Sequence, residues 1–263
     1  MDIKIKTALI SVSDKSNLEK IVHFLKEHNV KIISTGGTAK SIADLGIEVT
    51  DVASITNFPE MMDGRVKTLH PNVHGGLLSK RDDKGHVQSQ KEHGIEDIDL
   101  IIVNLYPFEE TIKSTENEDI CIENIDIGGP AMLRSAAKNH NFVTVVTDTN
   151  DYDNLIDEMK ENNGSTTLAF RKKLAAKTFS TTAYYDSLIS NWFYKNTNDQ
   201  SEKFSAAGQL SSVLRYGENP HQEASLYKSA LQSSGIPHAT LLQGKELSYN
   251  NINDADAALQ LIK

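Results

Sequence analysis

Five short apolar runs punctuate the first 150 residues, and each is separated from the next by stretches of different character. They read "KTALISV" (6–12), "VKIIS" (30–34), "IEVTDV" (47–52), "IDLIIVNLY" (98–106) and "FVTVVT" (142–147). Most are continuous rather than alternating, which is how strands buried on both faces read. Helical patterns lie between them, such as "NLEKIVHFLKEHN" (17–29) and "AKSIADLG" (39–46), the latter ending at Gly46 in the place of a C′ glycine. Such a βαβ succession predicts an α/β fold, a parallel sheet with helices on both faces.

The pattern then changes. Residues 165–195 read as all-helical, and "NTNDQSEKFS" (196–205) is polar up to Phe204, as a linker is. Strand-like sequence, "QLSSVLRYGENPHQEASLY", follows. The chain ends in "NDADAALQLIK", where Asn253 is a candidate cap for a helix with Ala257, Leu261 and Ile262 on one face. The expected organisation is a first domain over 1–196, a linker over 197–205 and the start of a second α/β domain over 206–263. About sixty residues are too few for a whole second domain, so the chain is expected to be a fragment.

Composition narrows the function. The 263 residues carry a net charge of −9 and no basic block, which argues against a nucleic-acid surface. The longest apolar run, "LIIVNLY" (100–106), is far short of the ~20 residues that cross a bilayer, and the N-terminus lacks a signal-peptide layout. Cys121 is the single cysteine, so an intramolecular disulfide and a Cys-based zinc site are excluded, and a reducing cytoplasm fits.

In doubly wound sheets ligands bind beyond the carboxyl ends of the strands. After the first strand comes "SVSDKS", with Ser13, Asp14 and Lys15; after the second comes "STGGT", with Thr35, Gly36, Gly37 and Thr38. Each runs into a helix N-terminus, where free N–H groups and the helix dipole favour an anion. Neither is a P-loop or a G-x-G-x-x-G fingerprint, and either alone is also an ordinary cap and turn. A third segment, "FPEMMDGRVKTLHPNVHGG" (58–76), has no clear periodicity and reads as a long functional loop. It offers Arg65, Lys67 and Thr68 to a phosphate; a solvated face is the plainer alternative. His70 and His74 are four apart, but the intervening Pro71 argues against a helical pair and no nearby carboxylate completes a ligand set, so no metal is expected.

After the fourth strand stand Asn104 and Tyr106; the Tyr106 hydroxyl either faces the crevice or is satisfied in the core. In "IDIGGPAMLRSAAKNH" (125–140), Asp126 precedes Gly128 and Gly129, whose N–H groups suit a ligand, and Pro130 suits a first helical turn. Lys138, near the end of that helix, is either a member of the site or a cation at a helix C-terminus. A Lys–Asp–Tyr–Lys set around a phosphate pocket points to proton transfer without a metal or redox cofactor.

These segments, in this order and together with "LRYGENPHQ", closely resemble the bifunctional purine biosynthesis enzymes, AICAR formyltransferase/IMP cyclohydrolase, from about residue 6 onward. The resemblance implies a methylglyoxal-synthase-like first domain that closes FAICAR to IMP and water. It implies nucleotide contacts at Ser13, Asp14, Lys15, Thr35, Gly36, Gly37, Thr38, Arg65, Lys67, Thr68, Val103, Asn104, Asp126 and Ile127. The catalytic group it implies is Lys67, Tyr106, Asp126 and Lys138, with no cofactor for that step. The second activity would pass a formyl group from 10-formyltetrahydrofolate to AICAR, with Arg215, Tyr216 and Asn251 at substrate-contacting positions. The family's Lys–His pair for that transfer would lie beyond Lys263, so formyl transfer is not expected of this chain. The resemblance also implies a homodimer. Two rivals stand beside it: a methylglyoxal-synthase-like phosphate lyase, and a regulatory nucleotide-binding module that does not turn its ligand over.

Overall fold

The computed structural model describes residues 1–195, 197, 201–231 and 234–262. In chain order the elements begin with β1 (Ile3–Lys4), β2 (Thr7–Val12), α1 (Leu18–Glu27), β3 (Lys31–Ser34), α2 (Gly36–Asp44), β4 (Thr50–Asp51), α3 (Val52–Thr56), α4 (Pro71–Leu78) and α5 (Lys84–His93). They continue with β5 (Leu100–Asn104), α6 (Phe108–Ser114), α7 (Glu118–Glu123), α8 (Gly128–Lys138), β6 (Thr144–Val146), α9 (Tyr152–Glu161), β7 (Ser165–Thr166) and α10 (Leu168–Lys195). Last come β8 (Gln209–Leu214), β9 (Ala224–Lys228) and α11 (Tyr249–Ile262). The chain divides into two units, Met1–Thr182 and Ala183–Lys263, and α10 runs through the division.

The first unit is the expected parallel sheet. Its strand order is β4-β3-β2-β5-β6, all parallel, with Ala8 opposite both Ile32 and Leu100. The apolar runs form its centre: Ala8, Leu9, Ile10, Leu100, Ile101, Ile102 and Val145 are buried because helices cover both faces. Helix α1 shows why: Leu18, Ile21, Val22 and Leu25 recur at helical spacing and are all buried, each such burial contributing about 1.5–3 kcal/mol. The chain builds β2, β3 and β4 outward in one direction and then returns to place β5 on the other side of β2. That reversal makes the β2/β5 boundary the switch point where a ligand crevice opens.

Two buried charges tie the frame. Asp99 Oδ2 accepts from the N–H groups of Lys6 and Thr7 at 2.8 and 2.9 Å, while Arg81 Nη1 donates to Oδ1 at 2.6 Å. Arg171 is fully buried and donates to the carbonyls of Met1 at 2.8 Å, His140 at 2.8 Å, Asn141 at 3.0 Å and Thr166. It joins the N-terminus to β7 and to the approach of β6, where β1 pairs antiparallel with β7.

Several boundaries differ from those read in the sequence. Helix α2 begins at Gly36 rather than residue 39, so both glycines belong to its first turn, behind Thr35 as N-cap. The irregular loop is shorter than expected, because Pro71 opens α4 instead of preventing a helix: proline at N1 gives up only an N–H that has no helical partner there. His70 is then the N-cap, its Nδ1 accepting from Asn72 N–H at 3.1 Å, and His74 lies inside the helix.

In the second unit, β8 and β9 form an antiparallel hairpin with an irregularity between Leu210 and Ser212. Helix α11 starts at Tyr249, before the predicted Asn253. The Asn251 N–H donates to Ser248 Oγ at 3.3 Å and the Ser248 N–H donates to Asn251 Oδ1 at 3.2 Å, a reciprocal capping box. Of the linker expected over 197–205, residues 198–200 lie outside the described residues.

Candidate active site

A cavity of about 370 Å³ opens at the switch point, and the carboxyl ends of β2, β3 and β5 form its floor. That size suits a small-molecule ligand. The turn after β2 is held rigidly. Asn104, at the end of β5, accepts through Oδ1 from the Ser13 and Asp14 N–H groups at 2.6 and 2.9 Å, and its Nδ2 donates to Asp14 O at 2.9 Å. Thr38 in α2 closes the floor from the other side, its Oγ1 bonding both the N–H and the C=O of Val12 at 3.0 Å. The polar groups of Asn104 and Thr38 are therefore spent on shaping the cavity, a role the short motifs did not disclose.

Two helix N-termini point into this space. Thr35, Gly36 and Gly37 bring the start of α2, while Ile127, Gly128 and Gly129 bring the start of α8. The α8 glycines are there for close approach. A Cβ on Gly128 would lie 2.6 Å from Thr68 Oγ1, and one on Gly129 would lie 2.5 Å from Asp126 Oδ2. Lys15, Arg65 and Lys67 add cations on the same lining. Free N–H groups, two positive dipole ends and three cations make the cavity an anion receptor.

A carboxyl and a phenol face the same space. Asp126 Oδ1 accepts from the Gly129 N–H at 2.8 Å. Burial pushes the Asp126 carboxyl above its ordinary value, against the pull of backbone hydrogen bonds from Gly129 and Tyr106. The Tyr106 phenol is pushed up from 10.0, first by desolvation and then by the charges of Asp126 and Glu123, so it remains a proton donor at neutral pH. The cavity therefore holds a half-buried carboxyl with raised proton affinity and a protonated phenol, groups of the kind that exchange protons.

His74 supports the site from behind. Its Nδ1 lies 3.0 Å from Ser135 Oγ on α8, and burial lowers its pKa from 6.5, so the ring is neutral at pH 7.

Most of the predicted residues come together here: Ser13, Lys15, Thr35 to Thr38, Arg65, Lys67, Thr68, Val103, Asn104, Tyr106, Asp126 and Ile127 line the one cavity. Asp14 contributes backbone only, its side chain accepting from the Ser16 N–H at 2.8 Å. Lys138 stands outside this lining. It is the last residue of α8, whose first residue lines the cavity, and ten rises of about 1.5 Å put the two helix ends some 15 Å apart. Lys138 is exposed and instead lines a second hollow with Leu78, Arg134 and Phe179. Arg215, Tyr216 and Asn251 line neither hollow described in the second unit, though Asn250 Nδ2 donates to Glu218 O at 3.2 Å and so brings the start of α11 to the loop after Tyr216. The Arg215 guanidinium stacks 5.8 Å from the centre of the Tyr216 ring, Asn251 is occupied in the α11 capping box, and the hollow lined by Tyr227, His238 and Asp256 contains none of the three. Sequence reasoning missed Gly64, Glu123 and Met132, which line the cavity through tertiary placement alone.

Comparison with known proteins agrees with this architecture. The MGS-like domain profile matches residues 17–131, and the AICARFT/IMPCHase bienzyme profile matches residues 136–263. The crystal structure of ForH superimposes with a TM-score of 0.65 at 33% identity, covering 72% of this chain and 99% of that one. Fold and comparison together define an MGS-like domain with a cavity at its switch point. The bifunctional purine biosynthesis protein PurH of Agrobacterium fabrum is 54% identical over 261 residues, covering 99% of this chain and 48% of that protein. PurH of Brucella abortus is 56% identical over 260 residues, with 98% and 48% covered. The chain belongs to the AICARFT/IMPCHase bienzyme family, and it spans about half the length of the curated relatives it matches.

Proposed function

We propose that this chain is an IMP cyclohydrolase, closing the ring of FAICAR to give IMP and water in purine biosynthesis. The observation that carries this reading is the meeting of Asp126, Tyr106 and Lys67 in one cavity with the N-termini of α2 and α8. The ribose 5-phosphate would sit on the α2 N-terminus, among Thr35, Gly36 and Gly37, with Lys15 beside it. The reacting groups already share one ring, so holding them in line supplies much of the rate.

In the reaction, the carboxamide nitrogen attacks the formyl carbon and a new C–N bond forms. The formyl oxygen leaves as water, taking one proton from the carboxamide nitrogen and one from the formamide nitrogen. Asp126 would receive the carboxamide proton, a task its raised proton affinity suits. Tyr106 would donate to the developing oxyanion and Lys67 would stabilise it. These side chains complete the cycle without a cofactor. Lys138 has no place in this chain's own cavity and receives no role in the step.

The second unit would be the beginning of the formyltransferase part, whose co-substrate is 10-formyltetrahydrofolate and whose acceptor is AICAR. The family's Lys–His pair for that transfer would lie beyond Lys263, so no formyl transfer is expected from this chain alone. Among the described residues no helix is long and apolar enough to cross a membrane. We place the protein in the cytoplasm, where a buried free thiol such as Cys121 persists, and expect a homodimer, which light scattering would test.

The deciding experiment adds FAICAR to the purified 263-residue chain, without folate or metal, and follows IMP by its ultraviolet absorbance. Turnover that Lys67→Ala reduces by about a hundredfold or more supports the reading. Tight nucleotide binding with no turnover would sink it in favour of a regulatory binding module.

A further inference from the structure

Lys67 is not positioned by the cavity wall alone. Its Nζ lies 3.3 Å from Glu60 Oε1, in the same loop. The pair sits in a slot bounded by two glycines from separate segments, Gly36 at the start of α2 and Gly64 in the loop, both with positive φ, 54° and 85°. A Cβ on Gly36 would come within 3.0 Å of Lys67 Nζ. One on Gly64 would come within 3.1 Å of that nitrogen and 2.7 Å of Glu60 Oε1. A side chain at either place would push the ammonium or the carboxylate aside.

Lys67, Gly36 and Gly64 line the cavity, and Glu60 does not. The Lys67 side chain is 26% exposed and that of Glu60 53%. The carboxylate therefore lies outside the cavity lining to which the ammonium belongs. An ammonium has three donors, so the bond to Glu60 leaves two for the cavity. Arg65 makes the contrast. It pairs with Glu123, which itself lines the cavity and so competes with any anion bound there. Glu60 is outside that lining and leaves the ligand space to the ammonium.

We propose that Glu60 is a positioning residue: its carboxylate, lodged with Lys67 in the Gly36–Gly64 slot, sets the direction in which the Lys67 ammonium meets the reacting oxygen of the nucleotide. A lysine stem is flexible and its ammonium is a point charge without preferred geometry, so a counter-ion on one side of it supplies an orientation the side chain lacks. The inference rests on the cyclohydrolase reading for the identity of that oxygen.

Kinetics on the full 263-residue chain test it. Glu60→Gln keeps the size and removes the charge. It is expected to lower kcat by roughly tenfold while KM changes by less than about twofold, the signature of an interaction made in the transition state. Glu60→Asp, which keeps the charge, should recover part of the loss. An unchanged kcat, a rise in KM alone, or an Asp variant no better than Gln would overturn the proposal. A second readout needs no substrate: acylation of Lys67, followed by mass spectrometry of the unliganded chain, should be several-fold faster in Glu60→Gln than in wild type. If wild type fails to turn FAICAR over and this rate still rises, the pairing stands and the cyclohydrolase reading falls. If the rate does not change, Glu60 holds nothing in place and the inference is wrong.

Discussion

The two units of this chain solve the burial problem differently. In Met1–Thr182 the sheet and its helices bury one continuous apolar core, and the buried charges there, Asp99 and Arg171, are satisfied within the unit. In Ala183–Lys263 the buried apolar residues are Tyr185, Leu188 and Trp192, all on α10, and among the described residues beyond them no apolar side chain is buried. Helix α11 leaves Leu261 87% and Ile262 81% exposed, and Val213 on β8 is 70% exposed. The comparison teaches that good local structure does not require a core. The hairpin has its ladder and α11 its capping box, yet neither covers an apolar face. The candidate groups divide the same way: the first unit converges them on one cavity, whereas Arg215, Tyr216 and Asn251 line neither hollow described in the second.

The strongest challenge to this contrast is to separate the parts. Residues 201–263 produced alone are expected to show no cooperative unfolding transition by circular dichroism, while residues 1–195 unfold in a single one. A sharp transition in the shorter piece would break the comparison. Next in size, Asp99→Ala should destabilise the first unit by about 3–5 kcal/mol, because it removes the buried partner of Arg81 Nη1 and leaves the buried Thr7 N–H and the part-buried Lys6 N–H without their acceptor; urea denaturation reads this directly. Leu133→Ala, at a fully buried position, should cost about 2–5 kcal/mol. Leu261→Ala should stay within roughly 0.5 kcal/mol, and equal costs at the two leucines would contradict the burial difference.

The smallest expected effect is a pH dependence confined to the first unit. Burial raises the folded-state pKa of Asp126 above 3.8, so the folded chain keeps that proton to higher pH than the unfolded chain does. Stability from this group is full below the unfolded value and falls as pH rises through the folded one. Asp126→Asn should flatten that slope in urea midpoints taken across the acidic range. A slope that persists would assign it to another group.

The legible parts of the fold were those written in continuous local pattern. The apolar runs marked β2, β3, β5 and β6, and helical spacing marked α1. Local pattern misled where one residue type serves two purposes. The glycines at 36 and 37 read as a turn ahead of a helix at 39, yet α2 already starts at Gly36, whose φ of 54° makes the turn within the helix's first residue. Pro71 read as a breaker and proved an initiator, for the reason that proline fits N1. Most of the candidate site was legible because strand ends in a doubly wound sheet meet at one edge.

By itself, the sequence determined the sheet, the chain positions of its glycine turns and the chemical kinds of group that face the crevice, because burial pattern and strand-end placement follow from local order. Only the tertiary structure decided which groups meet. It separated Lys138 from Asp126 by the length of α8, turned Asn104 and Thr38 to shaping the cavity floor, and set Glu60 beside Lys67 between glycines of two segments. Those outcomes depend on distances across the fold, which are fixed by helix length and close packing rather than by spacing along the chain.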